Sequence, residues 1–237
     1  MTLRIGVPDL TSSTEHEGKY VFPQTRLVPM LRWMEHVCRP DGDHPYGVVS
    51  SIYYDTREWD SLREKLNSDY LKTKVRLRWY GGEAGDARAP AFAEVKYRIG
   101  SRRDKIRIPT SLTAGQLDAL PLEDPVLLAV PRLIRAQGVP LTRPIFPAFV
   151  VRYTRLRYLE GTSGARVCLD HSISAPRANR MMLPCVNPTA LDVGLFEVKA
   201  PRRELPSVLR RLIALGGRMS SFSKYSACYE RLRRQAS

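Results

Sequence analysis

KTKVRLRWY (Lys72–Tyr80), FAEVKYRIG (Phe92–Gly100) and RRDKIRI (Arg102–Ile108) are three successive runs in which charged and apolar residues alternate. Side chains of a strand point alternately to its two faces. Lys74, Arg76 and Arg78 therefore share one face, opposite Val75, Leu77 and Trp79. Glu94, Lys96 and Arg98 share a face opposite Val95, Tyr97 and Ile99. Arg103, Lys105 and Arg107 oppose Ile106 and Ile108. A half-solvated antiparallel sheet explains one such strand, but a solvated face mixes both signs of charge, and these faces are overwhelmingly basic. Like charges on neighbouring strands repel. A cationic concavity that receives polyanions accounts for the series better.

The totals agree. In 237 residues, 38 Lys and Arg stand against 24 Asp and Glu, a net charge of +14, which points to an anionic partner. With 43% hydrophobic residues the chain can bury a core. Cys38, Cys168, Cys185 and Cys228 are scattered without a C-x-x-C pair, so neither a zinc site nor a disulfide framework is expected. No apolar run follows a basic start and none is long enough to span a bilayer. The expectations are a cytoplasmic protein and no membrane segment.

Outward from the basic strands, residues 1–14 read as a disordered tail and residues 15–237 as a single domain. Gln24–Cys38 reads as a helix, with Leu27, Leu31 and Met34 on one stripe. Val48–Tyr54 reads as a buried strand, followed by Asp55-Thr56 and a short helix to Leu66. Gly81–Pro90 is a hairpin loop. Thr113–Gly138 reads as two helices, AFVVRYTRLRYL and ARVCLDHSI as paired strands around a turn at Gly161–Gly164, and LFEVKA as the last strand. Leu205–Leu215 is amphipathic and stops at Gly216-Gly217. Phe222–Arg234 is a terminal helix. Seven to nine hairpin-connected strands with helices between them predict an α+β fold: a closed antiparallel β-barrel with a wide polar tunnel and flanking helices.

Glu-x-Lys recurs at Glu17/Lys19, Glu94/Lys96 and Glu197/Lys199. Each pair places a carboxylate and an ammonium on one strand face. Carboxylates facing a shared cavity suit hard divalent cations, and surrounding Lys and Arg suit phosphate oxygens. Together they meet the requirement of metal-assisted phosphoryl transfer. A P-loop is absent, and His16, His36, His44 and His171 lack ligand spacing. Trp79, Tyr80 and Tyr97 could stack bases, but Trp79 and Tyr97 fall on apolar faces, so nucleic acid is not expected.

E-x-E-x-K at Glu15–Lys19, SIYYDT (Ser51–Thr56), EKL (Glu64–Leu66), KVRLRWY, FAEVKYR, RYTR, RVCLD, FEVK and SFSKY, in this order, resemble the VTC domain, the polyphosphate polymerase branch of the triphosphate tunnel metalloenzymes. The resemblance spans Glu15 to Leu232. It implies a tunnel barrel that transfers the γ-phosphate of ATP onto inorganic polyphosphate with Mn²⁺ or Mg²⁺. By motif, Lys19, Arg76, Arg78, Lys96, Lys105, Arg155, Arg166 and Lys224 would bind phosphate, and Lys199 joins them through its Glu-x-Lys pair. Glu197 would be the principal metal ligand, with Glu15, Glu17 and Glu94 as lesser carboxylates. Arg76, Arg78, Lys96, Glu197 and Lys224 would be the catalytic set. Some members carry a lysine three residues before the SKY lysine; here Ser221 stands there, which bears on rate or substrate preference. A tunnel triphosphatase and a non-enzymatic polyphosphate-binding module are the alternatives. The inward carboxylates Glu94 and Glu197 argue against a pure binder.

Overall fold

The structure is a computed structural model that describes residues 9–10, 16–66, 71–81, 86–99, 102–202 and 204–235. Twelve strands form one antiparallel sheet. They are β1 (Asp9–Leu10), β2 (His16–Pro23), β3 (Cys38–Pro40), β4 (Tyr46–Asp55), β5 (Leu71–Gly81) and β6 (Pro90–Ile99). Then follow β7 (Arg102–Thr113), β8 (Phe146–Glu160), β9 (Arg166–Ala175), β10 (Thr189–Ala190), β11 (Val193–Ala200) and β12 (Arg218–Met219). The helices are α1 (Leu27–Val37), α2 (Asp60–Leu66), α3 (Ala114–Ala119), α4 (Pro125–Leu128), α5 (Val130–Ala136), α6 (Arg211–Ala214) and α7 (Lys224–Arg233).

The strand order is β1-β7-β6-β5-β4-β8-β9-β11-β2-β12, with β10 on β9 and β3 on β8. The sheet is therefore antiparallel throughout, as the hairpin spacing predicts. The closed barrel needs correction: among the described residues no backbone ladder joins the two ends of this path. Strands near the two ends nevertheless approach across the lumen, since Glu17 on β2 acts electrostatically on Lys96 of β6. Two residues of the segment read as a disordered tail, Asp9 and Leu10, pair with Arg107 and Ile106. The rest of residues 1–15, Glu15 among them, lies outside the described residues.

Three cores follow from strand parity. On the outer face of β5–β7, Val75, Leu77 and Trp79 pack under Leu117 of α3, Leu127 of α4 and Ile134 of α5. Tyr97 belongs to this outer core, so it is not placed to stack bases. The predicted pair of helices in Thr113–Gly138 is three: Pro125 and Pro131 each open a new one, because proline fits the first turn of a helix but not its interior. On the far outer face, Met30, Trp33 and Met34, at i, i+3 and i+4 of α1, cover Phe22, Leu169 and Phe196. The β2–β11 contact there is tight: a Cβ on Gly194 would lie 2.2 Å from the Phe22 ring.

The third core lies on the inner face. Val49, Tyr53, Val151, Tyr153 and Leu195 close around Tyr225, Cys228 and Leu232 of α7. The Tyr225 ring stacks on Tyr53 and Phe149, with centroids 4.8 and 5.0 Å away. Its hydroxyl donates to buried Asp55 at 2.5 Å. Asp55 also accepts from the backbone N–H groups of Thr56 and Ser61, which anchors α2. The SIYYDT and SFSKY motifs thus meet through one carboxylate and seat α7 inside the sheet.

Candidate phosphate site

One wall of the lumen is the inner face of β5, β6 and β7. Register sets Arg76 opposite Glu94, and Glu94 opposite Arg107. Arg76 Nε and Nη2 donate to Glu94 Oε2 at 2.8 and 2.5 Å. Arg78 Nη1 stands 3.8 Å from the same oxygen, and Arg78 Nε donates to Ser51 Oγ at 3.0 Å. Lys105 Nζ and Arg107 Nε lie 3.2 and 3.8 Å from Glu94 Oε1. One carboxylate therefore sits among four cations. Lys74, Lys96 and Lys105 also stand opposite one another on the three strands.

The facing wall comes from β2, β8, β9, β11 and α7. Lys19 pairs in register with Glu197, and Glu17 with Lys199, so two of the Glu-x-Lys pairs are reciprocal across one ladder. Arg155 grips Asp170 with Nε at 2.6 Å and Nη2 at 2.7 Å, and Nη2 also reaches Glu197 Oε2 at 2.9 Å. Lys224 Nζ lies 2.5 Å from Asp170 and 3.9 Å from Glu197 Oε1. The same ammonium is 4.5 Å from the Tyr153 ring centroid. Lys19 Nζ is 3.7 Å from Glu197 Oε1 and 3.8 Å from Glu17.

Proximity of unlike charges governs the carboxyls. Burial pushes the Glu94 carboxyl up, but Arg76, Arg78 and Lys105 outweigh it and hold it well below the usual range. Burial likewise opposes Glu197, and Lys224, Arg155 and Lys19 overcome it. For Lys224, burial pushes the ammonium down, while Asp170 and Glu197 raise it overall. Lys96 behaves differently. Its side chain is exposed by surface area. Neighbouring protein groups nevertheless desolvate the ammonium, and with repulsion from Arg76 and Arg78 this brings it down to about 7. Burial raises the Tyr53 hydroxyl, but Arg76, Lys74 and Arg78 prevail and bring it to about 8.

The sequence-predicted residues gather as follows. Lys19, Arg155, Glu197 and Lys224 meet on one wall; Arg76, Arg78, Lys96, Lys105 and Glu94 on the other. Arg166 and Lys199 pair at the open end of β9 and β11, both exposed. Asp170, Tyr53 and Tyr153 were not read as site residues, and Arg107 was placed on the basic strand face without being named a phosphate ligand. Asp170 carried a signal: it shares strand parity with Arg166 and Cys168. A cavity of about 650 Å³ lies elsewhere, outside the sheet between α2 and the segment Gly138–Arg143, with Val75 and Ile106 in its lining.

The fit to a divalent cation is partial but sufficient. Among the described residues no group of three or more His, Cys, Asp or Glu could hold a metal by itself. Asp170 is held by Arg155 and Lys224, and four cations already surround Glu94, although its Oε1 has no hydrogen-bond partner. Glu197 Oε1 has only ion pairs at 3.7 and 3.9 Å, and Glu17 lies across the ladder beside it. Mg²⁺ needs only one or two carboxylates where substrate phosphates and waters complete its shell. Glu197 and Glu17 fit that donor set.

The chain matches the VTC domain over residues 14–233 and belongs to that family. Comparison with curated protein sequences gives no match. Among solved structures it is similar to a Hippeastrum protein described as a putative adenylyl cyclase with a dominant triphosphatase activity. That pair shares 15% identity over 92% of this chain and 96% of the other, at a TM-score of 0.48. A putative adenylate cyclase from Vibrio parahaemolyticus shares 11% identity over 85% and 84%, at 0.41. Another from Bacillus halodurans shares 12% over 94% and 89%, also at 0.41. The family assignment rests on the sequence match, and these distant likenesses add no weight to it.

Proposed function

We propose that this protein is a polyphosphate polymerase that transfers the γ-phosphate of ATP onto the end of an inorganic polyphosphate chain. The observation that carries the reading is the surplus of lumenal cations around Glu94 in a chain of the VTC family. A polyanion supplies the charge that this wall lacks.

The terminal phosphate oxygen of the growing chain is already anionic, so its attack on the γ-phosphorus needs no protein base. The bond from that phosphorus to the β,γ-bridging oxygen breaks, and ADP leaves with the electron pair. Arg76 and Arg78, fixed by Glu94 and Ser51, stay in place while charge shifts between the oxygens, so stabilising it requires no reorganisation. Lys224, held by Asp170 at the first turn of α7, and Arg155 align the phosphates from the other side. Glu197, with Glu17, would hold Mn²⁺ or Mg²⁺, which when bound neutralises phosphate charge.

One feature favours a second reading. Lys96, brought to about 7, is substantially neutral at physiological pH and could accept a proton from water, which a triphosphatase requires. Incubation with ATP and Mn²⁺, followed by gel separation of chains from free phosphate, decides between them. Ladders of polyphosphate support the polymerase. Free phosphate alone supports the triphosphatase.

A further inference from the structure

We propose that Arg107, on the basic face of β7 but not among the phosphate ligands named from the family motifs, forms a further phosphate-binding subsite in the lumen, seated on the aromatic side chains of Phe92 and Tyr80. The inference deepens the proposed phosphate chemistry of the same site, and rests on it. Arg107 shares strand parity with Lys105, so its side chain enters the lumen. The guanidinium carbon lies 3.7 Å from the Phe92 ring centroid and 5.7 Å from that of Tyr80. Stacking of this kind fixes the plane of an arginine and leaves its N–H edge free to bind oxygen.

That edge is unsatisfied. Arg107 Nε is buried and has no hydrogen-bond partner. Among the described side chains its carboxylate partner is Glu94, at 3.8 Å, beyond hydrogen-bond reach. Glu94 is also committed elsewhere: Arg76 places two donors on its other oxygen, and Lys105 stands nearer at 3.2 Å. A structural ion pair would bring Arg107 into contact with the acid. The Glu94 oxygen that faces Arg107, Oε1, also lacks a hydrogen-bond partner, so the two groups stand apart unbonded, while the Arg107 side chain keeps 31% of its area open. A stacked guanidinium plane and a side chain partly open to the lumen together make a receptor for an oxyanion. The three other cations around Glu94 select one of high charge, such as a condensed phosphate. Phe92 and Tyr80 hold the cation by its face and so spare its donors for the ligand. An exposed surface arginine offers none of this preorganisation.

Arg107→Lys keeps the charge and removes the planar fork; Arg107→Ala removes both. Affinity for tripolyphosphate is measured by titration calorimetry without metal, so no turnover enters the reading. Arg107→Lys should weaken binding about 10-fold and Arg107→Ala about 100-fold, the range expected for a charge-assisted hydrogen bond. Phe92→Leu, which leaves every cation in place, should lose a few-fold through the looser guanidinium. Arg132→Ala on the exposed face of α5 should bind as the native protein does. Native-like affinity in both Arg107 variants would overturn the subsite, and so would a loss of melting temperature in Arg107→Lys with affinity intact. If the native protein makes no chains from ATP yet Arg107→Lys still weakens tripolyphosphate, the subsite stands and the polymerase reading falls.

Discussion

The wall built by β5, β6 and β7 sets four cations around the single carboxylate of Glu94, whereas the wall of β2, β8, β9, β11 and α7 sets Lys19, Arg155 and Lys224 against Glu17, Asp170 and Glu197. The first wall carries a surplus of positive charge around its carboxylate, while in the second three cations meet three carboxylates, with Lys199 and Arg166 exposed at its open end. Breaking a buried pair leaves an uncompensated charge, so a balanced wall resists change. A surplus wall is incomplete until an anion arrives. Under the proposed function the first wall would take the phosphates. The second seats α7 and would offer carboxylates to a cation that comes with them.

The comparison can be broken first at Glu197. In Glu197→Gln, Mn²⁺-dependent turnover should fall by about 10³, by analogy with other groups that stabilise developing charge. Metal-free affinity for tripolyphosphate should stay the same or rise, because a negative charge has left a cavity meant for anions. Turnover within a few-fold of native would shift the metal to Glu17.

Arg78→Ala comes next, with a rate loss of roughly 10²–10³. Its melting temperature should remain near native, since Arg78 bonds the neutral Ser51 and Tyr153 and touches Glu94 only at 3.8 Å. Arg76→Ala should lose a similar rate and also stability, because Arg76 is the bidentate partner of Glu94. Equal melting temperatures for the two variants would deny that Glu94 anchors Arg76.

On the balanced wall the larger effect should be on stability. Asp170→Asn removes the grip on Arg155 and Lys224, and breaking a buried pair of this kind costs about 3 kcal/mol, to be read by urea denaturation. An unchanged midpoint would mean that the inner aromatic core alone seats α7.

The smallest effect concerns pH. Lys96 is brought to about 7 in the free protein, and a bound polyanion favours its charged form. Binding should therefore take up a proton, and affinity should decline a few-fold as pH rises through 7. Lys96→Gln should flatten that decline. The effect of this group on stability has the opposite sense. Between about 7 and the ordinary lysine value of about 10.4, the unfolded chain binds a proton that the folded one has released, so this group adds stability as pH rises across that window. A pH-independent affinity in the native protein would put Lys96 outside the phosphate path.

Much of this was legible in the sequence because strand parity is local. The alternation in KVRLRWY places Arg76 and Arg78 inside and buries Leu77 and Trp79 outside, and both hold. Glu197 faces inward for the same reason. What parity cannot give is which residue of another strand stands opposite. The three Glu-x-Lys pairs look alike in sequence, yet Glu17/Lys19 and Glu197/Lys199 are reciprocal across one ladder, while Glu94 meets Arg76 and Arg107. Glu94 therefore organises cations instead of joining the carboxylates read as metal ligands. Asp170 closes an otherwise plain strand, and its partners are Arg155 on the preceding strand β8 and Lys224 on α7, far along the chain. That no ladder joins the β1 and β12 ends among the described residues was equally out of reach, since periodicity reports which face a residue takes and not whether a sheet closes.

The central claim is that condensed phosphate occupies the lumen against the cation-rich wall. A crystal structure with tripolyphosphate bound tests it most directly. The account predicts phosphate oxygens within hydrogen-bond reach of Arg76, Arg78 and Lys96. Phosphate found only on the outer surface, with the lumen empty at saturating ligand, would contradict it.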